Sequence, residues 1–218
     1  MESKVKTAQR EQRVSITKDV EIFPGYYPIF SKNRPEMMFT KEECEKIIAL
    51  TENIEGVDAT VGYGGIKTES QTDNKIRSAT EHPVYPTEET EWIYNKIINI
   101  IKTANDEYFK YDISHLVSPL SLMCYDSDRE ISGHYDWHRD AGDGNTSTRK
   151  ISITIQLSDE NDYEECDLIV VDSGQHVAVR EQGSISLFPS YVMHRVNPVE
   201  NGKRYALVTW IHGPQAFR

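Results

Sequence analysis

Residues 149–158 alternate: Ile151, Ile153, Ile155 and Leu157 fall on one face of an extended segment, and Ser152, Thr154 and Gln156 on the other. Successive side chains of a strand point to opposite sides, so the apolar set belongs to a core. The polar set has two readings: it meets water, or it lines a wet pocket inside a barrel. The segment 204–211 has a related pattern, with Arg204, Ala206, Val208 and Trp210 sharing a face. A charge on such a face is either an interior anchor or a solvated group. Further strand-like runs occupy 119–125, 167–172, 176–180, 184–188 and 203–211, separated by the turn signals DAGDGN, DSGQ, EQG and ENGK. Many short strands at this spacing predict a sandwich or a jelly-roll barrel.

The first half reads differently. Residues 1–18 are polar and aperiodic and are expected to form a tail or edge segment. A short strand is expected at Val20–Phe23. Thr40-Lys41-Glu42-Glu43 is a capping-box pattern, opening a helix whose apolar side carries Cys44, Ile47, Ile48 and Leu50. Residues 56–75 are rich in Gly, Thr, Ser, Asp and Asn and predict strand ends and a loop. A second helix is expected to begin at Pro86-Thr87-Glu88-Glu89, with Trp92, Ile93, Ile97, Ile100, Ile101 and Ala104 recurring at helical spacing. The expected architecture is mainly β with supporting helices (α+β): a core at 118–218, a support at 19–117 bracing one outer face, and the tail at 1–18, all in one domain.

Composition narrows the class. The 218 residues are 38% hydrophobic, enough for one sizeable core. Lys and Arg number 24 against 35 Asp and Glu, a net charge of −11. That balance suits a nucleic-acid backbone poorly and a basic peptide better. Runs such as Leu168–Val171 are too short to span a bilayer, and the N-terminus has no apolar signal region. Cys44, Cys124 and Cys166 are odd in number and scattered, which predicts a reducing compartment, the cytoplasm.

The densest chemistry is His134-Tyr135-Asp136-Trp137-His138-Arg139-Asp140, which holds His-x-Asp twice, with His194 well downstream. Two histidines and a carboxylate form the facial triad of non-haem Fe(II) oxygenases. On an extended segment residues two apart share a face, so one short stretch supplies two ligands. Either His134/Asp136 or His138/Asp140 meets that spacing. Arg204, ten residues after His194, adds what a dicarboxylate cosubstrate needs at its far end. Cys166 is a small buried residue or an exposed thiol. Arg77 reaches an acidic substrate or makes a structural ion pair. His82 is expected in a turn before Pro83, and His115, His176 and His212 in surface or satisfied-core roles.

Residues 119–214 resemble the Fe(II)/2-oxoglutarate-dependent dioxygenases of the prolyl 4-hydroxylase-like group, in register. The matching text is Cys124-Tyr125, GHYDWHRDAGDGN, RKISITIQLSDENDYEECDL and GSISLFPSYVMHRVNPVENGKRYALVTWIHGP; FTKEECEKII and IRSA are similar to the family's N-terminal support. The resemblance implies a double-stranded β-helix (jelly roll, cupin-like). Carried over residue by residue, His138, Asp140 and His194 match the iron ligands and Arg204 the residue holding the C5 carboxylate of 2-oxoglutarate. Tyr125, Gln156 and Trp210 match positions lining the cosubstrate pocket. Glu165-Cys166 stand where the family often has paired glycines. The resemblance further implies Fe(II), 2-oxoglutarate and O2, and leaves ascorbate open as an accessory reductant. It implies hydroxylation of an unactivated C–H, with a prolyl residue of a peptide or protein as the leading substrate. The alternatives are a nucleic-acid base or a small molecule under the same chemistry, or a non-catalytic metal-binding jelly-roll module.

Overall fold

The computed structural model describes residues 21–22, 28–31, 34–61, 71–142, 146–171 and 174–217. The expected tail at 1–18 lies outside them. In chain order the strands are β1 (Glu21–Ile22), β2 (Pro28–Phe30), β3 (Val57–Asp58), β4 (Arg77–Ser78), β5 (Thr80–Val84), β6 (His115–Leu116), β7 (Leu120–Asp126) and β8 (His134–His138). They continue with β9 (Arg149–Gln156), β10 (Tyr163–Glu165), β11 (Leu168–Val171), β12 (Gln175–Val177), β13 (Ile185–Pro189), β14 (Met193–Val196) and β15 (Val199–His212). Two α-helices precede most of them, α1 (Lys41–Ala49) and α2 (Glu91–Ala104).

The strands form two sheets. The larger runs β1-β2-β13-β9-β15-β7-β5-β3, with β10 and β6 also paired to β15; the smaller runs β12-β11-β14-β8-β4. Neither closes into a barrel. The pairing of β9, β13 and β15 with long-range partners is the double-stranded β-helix pattern, mainly β with helical support.

Alternation sets the layers. Ile151, Ile153 and Ile155 of β9, Leu187 of β13, Leu122 of β7 and Leu207 and Ile211 of β15 share one core with Ile47 of α1 and Ile93, Ile97 and Ile101 of α2. Met123 and Tyr125 of β7 and Phe188 of β13 point the other way, into a second core with Leu168, Val170 and Val196 of the smaller sheet. The middle strands of the large sheet are therefore covered on both sides. The polar face of β9 is buried as well, with Ser152 and Gln156 among the enclosed polar residues. Of the two readings of that face, the enclosed one holds.

Helix α1 begins as the capping box predicts: Thr40 Oγ1 accepts from Glu43 N, and Glu43 Oε2 accepts from Thr40 N. Several expectations are corrected. Helix α2 starts at Glu91, because 87–90 forms a separate turn in which Thr90 Oγ1 accepts from Thr87 N and donates to the Tyr85 carbonyl. His82 lies in β5, not a turn, its Nδ1 2.7 Å from the Ile54 carbonyl. ENGK does not end a strand: it lies within β15, where Gly202 takes a left-handed φ of 77° and pairs with Tyr163. A Cβ there would meet the Asp162 carbonyl oxygen at 2.2 Å. The expected strand set also lacked β14, which carries His194, and the short extended stretch expected to carry both His138 and Asp140 ends at His138, leaving Asp140 beyond β8.

Candidate active site

The site lies between the sheets. His138 ends β8 and His194 lies in β14, and the two face each other as a cross-strand pair. Asp140 follows β8 by two residues. Its backbone N donates to the Ser190 carbonyl, so the loop before β14 fixes it. Donor atoms of His138, Asp140 and His194 all lie within 4.8 Å of one another. Asp140 Oδ2 is 3.3 Å from His194 Nε2, and Asp140 Oδ1 is 3.8 Å from His138 Nε2.

The tautomers are set from behind. His138 Nδ1 lies 2.7 Å from the Asp136 carbonyl and His194 Nδ1 3.0 Å from that of Val192. A carbonyl only accepts, so both Nδ1 atoms carry hydrogen and both Nε2 atoms point at the carboxylate. Ser152 Oγ, on the inner face of β9, donates to Asp140 Oδ2 at 2.5 Å.

Electrostatics agree. Burial opposes ionisation of Asp140, but the two imidazoles and the Ser152 hydroxyl outweigh it and hold the carboxyl far below its ordinary range. Burial, helped by His194, holds His138 down to about 3, so its ring is neutral near pH 7. Burial also works against charge on His194, yet contact with Asp140 raises it. Two neutral-capable imidazoles and one ionised carboxylate, all nitrogen and oxygen donors, are a set that fits a divalent first-row metal.

The competing pair is separated. His134 has Nε2 3.0 Å from the Lys75 carbonyl and Nδ1 2.8 Å from that of Ser132, while Asp136 is exposed. The strand pinned those atoms to backbone, away from the triad.

Arg204, 4% exposed, lies on the inner face of β15 and lines the same pocket as the triad. Its Nε donates to Gln156 Oε1 at 2.9 Å, and its guanidinium stands 5.6 Å from the Tyr125 ring centroid. Among the described residues no carboxylate pairs with it. A buried charge of this kind needs a partner, and a ligand carboxylate fits it. Gln156 sits behind Arg204 rather than on the pocket wall: Nε2 donates to the Ser158 carbonyl and to Tyr163 Oη, which fixes which oxygen faces the guanidinium. Tyr125 and Trp210 line the pocket directly, and Thr154, Ala206 and Val208 complete the large-sheet side. Leu168 and Val196 close it from the small sheet, leaving a pocket that is partly open to solvent.

Cys166 is fully buried, and burial pushes its thiol up to about 11. Glu165 and Cys166 both take left-handed φ values of 59°, at a register shift of β10. The conformation that paired glycines adopt freely is thus kept here by two larger residues.

Two pocket residues, and a third packed on the pocket wall, went unseen in the sequence as a group. Tyr135 stacks on His138 with ring centroids 3.5 Å apart. Arg77 lies over Tyr135 at 4.6 Å and makes no ion pair among the described residues, contrary to the structural-pair expectation. Arg149 lies 3.8 Å from the Trp210 ring centroid. The signal available was the aromatic between the histidines in HYDWH; the pairing with Arg77 depends on β4 lying beside β8, which spacing does not reveal.

Residues 120–212 match the family model described as the 2OG-Fe(II) oxygenase superfamily. PKHD-type hydroxylases from Pseudomonas paraeruginosa and, under the name PiuC, Pseudomonas aeruginosa are each 29% identical over 182 residues, covering 79% of this chain and 74% of the relative. Among solved structures, a prolyl hydroxylase from Trichoplax adhaerens in complex with a hypoxia inducible factor peptide fragment aligns with a TM-score of 0.65 at 16% identity, over 87% of this chain and 84% of that one. A prolyl-4-hydroxylase from Pseudomonas putida gives 0.63 at 14%, over 87% and 94%.

Proposed function

We propose that this chain, a 2OG-Fe(II) oxygenase of the prolyl 4-hydroxylase-like family and a hydroxylase, acts on a prolyl residue of a peptide or protein. The observation that carries the site assignment is the shared pocket. A buried guanidinium with no carboxylate partner among the described residues faces the same space as a His-Asp-His cluster. The prolyl assignment is supported by the prolyl hydroxylases among the structural relatives.

In this reading His138 and His194 hold Fe(II) through Nε2, and Asp140 through a carboxylate oxygen. When bound, iron with 2-oxoglutarate and O2 supplies the oxidising power to hydroxylate a C–H bond as 2-oxoglutarate becomes succinate and carbon dioxide. The chain's own part is placement. The Asp136 and Val192 carbonyls fix both rings, and Ser152 fixes the carboxylate. Arg204 takes the remote carboxylate of 2-oxoglutarate, held in plane by Gln156. Tyr125, 5.6 Å from the guanidinium, and Ala206, next on the same face of β15, cover that end with apolar surface, which strengthens charge contacts there.

The test has two arms. Anaerobic titration of 2-oxoglutarate into the Fe(II)-loaded protein is expected to give a weak visible charge-transfer band. In Arg204→Ala the concentration needed is expected to rise roughly 10- to 100-fold, the usual worth of a hydrogen-bonded charge pair. No band in folded, iron-loaded protein sinks the site assignment and favours the metal-binding module. With the band present, prolyl peptides that stay unmodified in air by mass spectrometry sink the substrate assignment alone.

A further inference from the structure

Arg77 and Arg149 are not used in the mechanism above. Each has its guanidinium over an aromatic ring of the pocket wall: Arg77 over Tyr135 at 4.6 Å, Arg149 over Trp210 at 3.8 Å. Both rings line the pocket, and Arg77 lines it too. Neither guanidinium makes an ion pair with a described carboxylate. Their polar contacts are sparse: Arg77 donates to the Thr60 carbonyl at 2.9 Å and lies 3.5 Å from Met123 Sδ, and Arg149 donates to the Asp140 carbonyl at 3.3 Å. The Nε of each is buried with no acceptor.

The charge count is one-sided. Arg77 and Arg204 line a site whose one lining carboxylate among the described residues, Asp140, lies against two imidazoles, and Arg149 adds a third guanidinium behind the Trp210 wall. Bound Fe(II) and 2-oxoglutarate cancel each other and leave the excess in place. Burial weakens charge on Arg149; the Asp140 carboxylate and Tyr135 oppose that, and Arg77, close enough to be felt, adds to it. This positive mouth sits in a chain of net charge −11. A cleft of one sign with apolar walls concentrates ligands of the other sign.

We propose that Arg77 and Arg149 select a substrate bearing a carboxylate beside the carbon to be hydroxylated. The source is either an acidic residue flanking the target in a peptide or the free carboxylate of a small substrate. Two arginines with sparse free donors match one small anion. A polyphosphate backbone would in addition meet the repulsion of the acidic chain. The proposal rests on the prolyl reading only for the choice of probes.

The test uses the full chain loaded with Fe(II) and 2-oxoglutarate under anaerobic conditions. Labelled, capped pentapeptides with a central proline flanked by glutamate, glutamine or lysine are compared by fluorescence polarisation. L-Proline, its amide and a short single-stranded oligonucleotide are run as competitors. The glutamate peptide is expected to bind about tenfold or more tighter than the glutamine one, and the lysine one most weakly. That advantage is expected to shrink with added salt and in Arg149→Gln and Arg77→Gln. Competition by L-proline but not its amide supports the same chemistry from a small molecule. Equal binding of the three peptides without discrimination between L-proline and its amide, no binding of any carboxylate probe, or preference for the oligonucleotide overturns it. The ranking on the unaltered chain needs no variant, so misfolding of Arg77→Gln does not blunt the result. On admitting air, equal hydroxylation of all three peptides sinks the charge selection and leaves prolyl hydroxylation standing. Tight but unhydroxylated glutamate peptide does the reverse.

Discussion

On β9, Ile151, Ile153 and Ile155 point towards α1 and α2, whereas Ser152 and Gln156, each one residue away, point towards the smaller sheet. β15 divides in the same way, with Leu207 and Ile211 on the helix side and Arg204, Ala206, Val208 and Trp210 on the pocket side. One face is interchangeable apolar volume. The other is a set of single-purpose atoms at fixed distances. Stability and chemistry are thereby assigned to alternate residues of the same strands. A rigid sheet gives the pocket side chains their precision, and the helix-side core is what makes the sheet rigid. The division predicts that substitutions on one face alter melting, and on the other alter binding and turnover.

The largest effect is expected for Asp140→Ala. On the proposed assignment it removes an iron ligand, so turnover should fall at least ~100-fold, beyond the usual cost of losing even an outer partner of a ligand. Succinate production reports it. The same variant should melt as a folded protein, since Asp140 touches neither apolar core. Turnover within a few-fold of the unaltered chain would remove the triad assignment.

Leu207→Ala tests the opposite face. Leu207 is fully buried against the helices. Its truncation should cost ~2–5 kcal/mol and lower the melting temperature accordingly. The 2-oxoglutarate affinity of the folded fraction, read from the charge-transfer titration, should stay within about twofold. A large change in that affinity would break the division between the faces.

Ser152→Ala lies on β9 between Ile151 and Ile153. It removes the hydroxyl that orients Asp140 Oδ2. Iron affinity is expected to drop roughly 10- to 100-fold, as for other outer-shell partners, with little change in melting. Competition against a chelator of known strength measures it.

How much of this was readable follows the same division. Period-two alternation showed both faces of β9, because a strand's geometry is local. Whether the polar face met water depended on what covered it, and the cover is the smaller sheet, built from β4, β8, β11, β12 and β14 far apart in sequence. The pair His138/Asp140 stood apart from His134/Asp136 only through resemblance; the physical discriminator is where the Lys75 and Ser132 carbonyls fall relative to His134. For Arg77 an ion pair and an acidic substrate were both open, because charge is visible along the chain while a tyrosine ring from β8 beneath it is not. Gln156 was placed on the pocket wall because its neighbours on that face are there; its side chain is instead taken up behind Arg204.

Thr40→Ala carries the smallest expected effect and the finest test. It removes the capping box of α1, at a cost of about 1 kcal/mol, which for a chain of this size is roughly 2–4 °C in melting temperature. Helix α1 nevertheless touches the chemistry at one remove. Cys44, four residues into the capped helix, places Sγ 3.9 Å from the Gln156 carbonyl, and Gln156 Oε1 holds Arg204. If the sheet isolates its faces, the KM for 2-oxoglutarate should stay unchanged while melting falls. Should KM rise with the loss of the cap, α1 sets the position of Gln156 and hence of Arg204, and the helix face would count as part of the cosubstrate site.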